Sequence, residues 1–208
     1  MPLNILIRIF ISFYSILAIG FSRPESIALC ITVSGKLERK GQVRNGIIRK
    51  GDPIYHGDKI KVEDNESLSF MTIYGRDIVD IYENSVIKIV NEKNNRNDFS
   101  EMALFGGKVI IKMDDNDDRG FILNAPTAII IAEGSHFIAE YRDELLFNNN
   151  TYSVFTVLDG KIKVQNVRSG KIIYADKGET IISTRDGKFL ALDTFKNSAK
   201  IIGHLEMH

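Results

Sequence analysis

The chain has 208 residues, 44% of them hydrophobic, and carries 27 basic side chains against 27 acidic ones. That length holds one domain with a sizeable core or at most two small ones, and the apolar fraction excludes a disordered chain. The balanced charge gives no sign of a nucleic-acid partner, and no polybasic stretch marks a membrane-surface site.

Met1 to Arg8 form a short, mildly positive start, and Ile9 to Phe21 follow as thirteen residues without a charge. Ser22, Arg23, Pro24 and Glu25 then end the apolar run. This is the layout of a secretory signal, with Ala18-Ile19-Gly20 placing small residues where a signal peptidase reads. The competing form is a retained anchor, since Pro2 to Phe21 give twenty residues broken only by Asn4 and Arg8. Residues 1–25 are therefore expected to be a signal peptide or membrane anchor that sends the rest to the periplasm or cell envelope. The chain would meet a membrane, the inner one, only through that segment if it is kept.

The lone cysteine, Cys30, allows no intramolecular disulfide. A lipidated cysteine wants a small residue directly before it, and Ile27-Ala28-Leu29 puts a leucine there. Cys30 is expected instead to be a buried apolar side chain on the first strand.

From Ser26 onward, short apolar stretches are punctuated by glycine. Ile27, Leu29, Ile31 and Val33 alternate, which assigns them to one face of a strand. Lys50-Gly51-Asp52, His56-Gly57-Asp58 and Tyr74-Gly75-Arg76-Asp77 read as turns. Further apolar runs lie at Ile60–Val62, Leu68–Phe70, Ile78–Ile81, Val86–Ile89 and Lys108–Lys112. Between them, Asn91 to Ser100 form a polar, Asn-rich loop. Asp114 to Asp118 make an acidic connection.

Ala128 to Ala132 are wholly apolar, the pattern of a strand buried on both sides. Gly134-Ser135 interrupt that run, and Phe137, Ala139 and Tyr141 resume alternation. Val154–Leu158 and Ile162–Val164 flank Asp159-Gly160, which predicts a hairpin. Ile172–Tyr174 and Thr180–Ser183 complete the set. Leu192, Phe195, Ala199, Ile202 and Leu205 fall on one face of a possible C-terminal helix.

About ten to twelve short strands are expected, in an all-β sandwich or flattened β-roll. The divisions are 1–25 for the leader, 26–190 for the β domain and 191–208 for the tail. No exact internal repeat is found.

The order of these turns resembles the FecR-type domain, the extracytoplasmic part of the iron-dicitrate regulator family. The matching elements begin with Val33-Ser34-Gly35, a doubled Gly51-Asp52 and Gly57-Asp58-Lys59-Ile60, Ser67 and Gly75. Leu104 to Gly107 with Val109, and Ala125-Pro126-Thr127 leading to Gly134-Ser135-His136-Phe137, come next. Val157-Leu158-Asp159-Gly160-Lys161-Ile162 and Gly178-Glu179 close the pattern, which covers roughly residues 30–183. Ser135 stands where the family usually has Thr. The resemblance implies an envelope-side module. The eight residues before the apolar run are too few to fold into the family's cytoplasmic sigma-factor-binding part, so that activity is not expected to carry over.

Catalytic chemistry finds no foothold. His56, His136, His204 and His208 have no metal-ligand spacing, and Gly134-Ser135 lacks the second glycine of a nucleophile elbow. Gly106-Gly107-Lys108 lacks the spacing of a phosphate loop, and Asp114 to Asp118 lack the Gly and distal Glu of a calcium loop. No catalytic, cofactor-binding or metal-ligating residue is assigned, and no cofactor is expected. The reading is a non-enzymatic exported binding module that meets an envelope protein, in signalling or assembly, through a sheet edge or strand face. The strands after residue 150 are the expected place for that edge. The alternatives are a structural wall-associated protein and, less favoured, an enzyme on carbohydrate or peptidoglycan.

Overall fold

A computed structural model describes residues 24–73, 75–90, 99–114, 119–146 and 150–191. The leader up to Arg23, most of the Asn-rich loop, residues 115–118 of the acidic connection, residues 147–149 and the expected C-terminal helix lie outside the described residues.

The described chain is all-β. Its strands are β1 (Ser26–Ser34), β2 (Glu38–Lys40), β3 (Gly46–Ile47), β4 (Pro53–Tyr55), β5 (Lys59–Val62), β6 (Ser67–Thr72), β7 (Ile78–Ile81) and β8 (Ser85–Ile89). There follow β9 (Phe99–Lys112), β10 (Gly120–Asn124), β11 (Ala128–Leu146), β12 (Asn150–Asn166), β13 (Ile172–Asp176), β14 (Thr180–Thr184) and β15 (Phe189–Ala191). These 15 strands exceed the expected ten to twelve because several, such as β3, are two- or three-residue pairings too short to leave an alternating pattern. All belong to one open, mixed sheet, in which only β9 and β10 run parallel. Its inward side chains, from Ala28 to Ile181, form one continuous core.

Two segments read as separate strands are single long ones. Gly134 lies inside the 19-residue β11 and Gly160 inside the 17-residue β12, so Asp159-Gly160 is not a hairpin turn. The two strands pair along nearly their whole length, with register breaks where these glycines sit. Gly134 has φ +50° and Gly160 φ +76°, so each kinks its strand without ending it.

A related arrangement recurs along β9, where Gly107 lies inside the strand and its counterpart Asn84 lies between β7 and β8. Glu83-Asn84-Ser85 faces Gly107-Lys108, as Glu133-Gly134-Ser135 faces Gly160-Lys161. Asn84 (φ 58°) and Gly107 (φ 87°) are left-handed like their counterparts. Ser85 Oγ accepts the Lys108 N–H at 2.9 Å, and Ser135 Oγ accepts the Lys161 N–H at 3.3 Å. Each hydroxyl also lies within donating distance of the same lysine's carbonyl, at 3.2 and 2.7 Å. The repetition is one of backbone geometry around a Ser and a Gly, which sequence identity does not reveal.

A second device recurs three times in the turns. In Arg49-Lys50-Gly51-Asp52, Tyr55-His56-Gly57-Asp58 and Asp176-Lys177-Gly178-Glu179, the glycine takes φ +84°, +82° and +85°. Each terminal carboxylate accepts the backbone N–H three residues earlier, at 2.9, 3.0 and 2.7 Å. Each turn then clasps one residue of a neighbouring strand, respectively Cys30, Ile89 and Val157. The clasp joins that residue's C=O to the glycine N–H and its N–H to the acidic residue's C=O. Glycine supplies the left-handed step and the carboxylate closes the turn, which is why Gly-Asp and Gly-Glu punctuate the sequence.

Two face assignments change. In β1 the core receives Ala28 and Cys30, while Leu29 is 40% exposed. A register break between Cys30 and Thr32 then returns Val33 to the core's margin. In β11, Ala128, Ile130 and Ala132 are buried, but Ile129 and Ile131 are only half-buried. The strand expected to be covered on both faces therefore has one partly open face.

Within the core, the Arg39 guanidinium meets Asp58 at 3.2 Å with both side chains fully buried. Arg39 Nη1 also donates to Pro53 O, and its guanidinium lies 5.8 Å from the Tyr55 ring centre. Arg39 Nε and Nη2 and Asp58 Oδ1 have no hydrogen-bond partner. Burial pushes the Asp58 carboxyl above its ordinary pKa, against the opposing pull of the Tyr55 N–H and the Arg39 charge.

Candidate protein-binding edge

β12 divides one of its edges between two strands. β14 lies beside residues 152–156, and β13 lies beside residues 161–165. Among the described residues β13 has no other strand neighbour, so its far side is a sheet edge there. The Gly178-Glu179 clasp on Val157 sits between the two pairings and fixes where β13 ends and β14 begins.

Alternation fixes what β13 shows. Ala175 is fully buried and Ile173 packs on the margin of the core, which anchors the strand. Ile172 and Tyr174 therefore point outward, 45% and 61% exposed. Tyr174 stands opposite Lys163, and Ile172 opposite Gln165. The same outward rows continue across β11 and β10, where Ile131 and Ile122 face each other and Ile129 pairs with Asn124. Two rows, Tyr174-Lys163-Ile131-Ile122 and Ile172-Gln165-Ile129-Asn124, thus cross four strands and end at that edge, with isoleucine or tyrosine at five of the eight positions.

The rim is charged. Lys161 bonds Asp176 at 3.1 Å and lies 6.0 Å from the centre of the Tyr174 ring. Lys177 pairs with Asp159 at 2.8 Å. The hydrogen bond from Lys177 holds the Asp159 carboxyl below its ordinary pKa, and the same bond raises Lys177. Val167, 56% exposed, extends the apolar surface past the end of β12. An exposed edge flanked by large apolar side chains can take up another strand, because its unpaired N–H and C=O groups are satisfied by the incoming chain.

The residues weighed for chemistry are scattered. Ser135 Oγ lies 2.8 Å from the Glu133 carbonyl and is held by the kink, only 2% exposed. His56 Nδ1 lies 2.8 Å from Val90 O, and His136 sits half-buried opposite Asp159. His204 and His208 fall outside the described residues. Among the described residues, no three His, Cys, Asp or Glu side chains gather as a metal site. Sequence reading placed the edge after residue 150 but did not single out Ile172 and Tyr174. The available signal was Ile172-Ile173-Tyr174, an apolar triplet that cannot all face one core.

No protein-family model matches the sequence, and no curated protein matches it. Solved structures do share the fold. A candidate anti-sigma factor from Parabacteroides distasonis, in a crystal structure at 2.50 Å, aligns with a TM-score of 0.52 at 17% identity, over 71% of this chain and 72% of that one. A crystal structure at 1.65 Å, also of a candidate anti-sigma factor from that organism, gives a TM-score of 0.51 at 17% identity, over 64% of this chain. The match spans only 57% of that second chain. The chain therefore shares the fold of these two structures.

Proposed function

We propose that this chain is a non-enzymatic module of the cell envelope that binds another envelope protein by accepting an extended segment beside β13. The observation that carries this reading is the pair Ile172 and Tyr174, outward-facing on a strand that, among the described residues, has a neighbour on one side only. Incoming main chain pairs with the edge, and alternate apolar side chains of the partner meet Ile172 and Tyr174. The leader pattern supports export, and the likeness to anti-sigma folds together with the FecR-type order of turns supports a signalling setting. The module works in the periplasm or cell envelope and belongs with the FecR-type domains.

Co-purification from envelopes tests the reading. Wild type and an Ile172→Lys/Tyr174→Lys variant of equal melting temperature are compared for stoichiometric partners. The variant is expected to lose a partner that wild type retains. Equal recovery of every partner would refute the role of β13.

A further inference from the structure

A second surface lies on the other half of the sheet, where β2, β5 and β8 run side by side. Their registers place Lys40 directly opposite Lys59, and Lys59 directly opposite Lys88. All three are exposed, while Arg39, Ile60 and Ile87 point inward from the same strands. Directly opposed residues share a face, so three ammonium groups stand in one row. Like charges so placed repel and weaken a sheet, and this chain has as many acidic residues as basic ones with which to avoid them.

Among the described residues the row is not neutralised from within. It borders a groove of about 340 Å³ lined by Lys36, Glu38, Lys40, Lys59, Lys61, Glu63 and Glu66. Of its carboxylates, Glu38 stands opposite Lys61, and Glu63 pairs with Lys61. Glu66 accepts the backbone N–H groups of Lys36 and Glu63. No described carboxylate pairs with Lys40, Lys59 or Lys88, and Lys59 Nζ instead lies 5.6 Å from the centre of the 52% exposed Phe105 ring.

We infer that Lys40, Lys59 and Lys88 form a binding site for a phosphomonoester group, whose carrier lies against Phe105. Adjacent strands are about 4.8 Å apart, so the flexible lysine arms can converge on one group over Lys59. A phosphomonoester offers a double charge and three terminal oxygens to three ammonium donors, whereas a single carboxylate offers one charge. The carboxylates at the groove's far side repel an extended polyanion and favour a compact one.

The full chain is titrated at low salt with inorganic phosphate, with vesicles containing phosphatidate, with phosphatidylcholine vesicles and with a hexaglutamate peptide. Saturable phosphate binding that raises the melting temperature is expected, weakened about tenfold or more in Lys59→Gln and in Lys40→Gln/Lys88→Gln. Lys163→Gln, on the β13 face, should bind as wild type does. Without ligand, Lys59→Gln should melt no lower than wild type, since it relieves repulsion. Phosphatidate binding that free phosphate displaces assigns the carrier to a lipid, and phosphate binding without vesicle binding assigns it to a soluble molecule. No saturable phosphate binding, equal binding by the lysine variants, or tighter binding of hexaglutamate than of phosphate would overturn the inference.

Discussion

Ser135 and Gly160 meet across β11 and β12 so closely that a Cβ on Gly160 would stand 2.9 Å from Ser135 Oγ and 3.1 Å from Ser135 Cα. The counterpart pair is tighter, because a Cβ on Gly107 would come within 2.1 Å of Ser85 Oγ and 2.5 Å of its Cα. At Gly134 no atom lies within 4 Å of an added Cβ, and only its φ of +50° resists a side chain. Alanine should therefore destabilise in the order Gly107, Gly160, Gly134. The last should cost about 1 kcal/mol and the others more, through backbone collision. Denaturant unfolding of the three variants checks the order, and equal midpoints would contradict it.

The Arg39–Asp58 pair should show the asymmetry of buried charge. Arg39→Met leaves a buried carboxylate alone and should destabilise by about 3–5 kcal/mol. Adding Asp58→Leu should recover much of that loss, since the apolar pair leaves no orphaned charge. A double variant as unstable as the sum of its singles would show no coupling between the two charges and would contradict the account. Both are read by denaturant melts.

The same site has a pH signature. The folded chain holds the Asp58 proton more tightly than the unfolded chain, because burial raises its pKa. Asp58 therefore adds stability below its ordinary pKa, and that contribution disappears as pH rises through the raised, folded value. Asp58→Asn removes this titration. The difference in unfolding free energy between wild type and variant should change between the ordinary and the raised pKa and be flat above both. A difference constant across the acid range would contradict it.

Cys30 is 2% exposed and faces Phe70 on β6. Burial pushes its thiol up to about 11, the Arg39 charge offsetting only part of the rise. A thiol reagent at pH 8 should label no cysteine in the folded chain and one per chain in denaturant. Rapid labelling without denaturant would place Cys30 at the surface.

The all-β class and most turn positions were legible because Gly-Asp and Gly-Glu pairs carry their own geometry, as Gly51-Asp52 and Gly178-Glu179 do. The long strands were not legible. A left-handed glycine serves a turn and a kink equally well, and only the pairing of Glu133 with Lys161 and His136 with Asp159 decides that the chain runs on. Ile129 and Ile131 were read as buried because apolar composition does not distinguish a covered face from a partly open one. Which of the strands after residue 150 has the open side was not legible for a further reason. Which strand lacks a neighbour depends on β12 dividing its edge between β13 and β14, a long-range arrangement absent from any local pattern.

The most direct test of the binding edge is site-specific photocrosslinking in intact envelopes, with the probe placed in turn at Ile172, Tyr174 and Ile47. Ile47 is a fitting control, being 41% exposed on β3, a strand that among the described residues pairs only with β2. The account predicts one discrete heavier product from Ile172 and Tyr174 and none from Ile47. The same product from all three positions, or none from Ile172 and Tyr174, would contradict it.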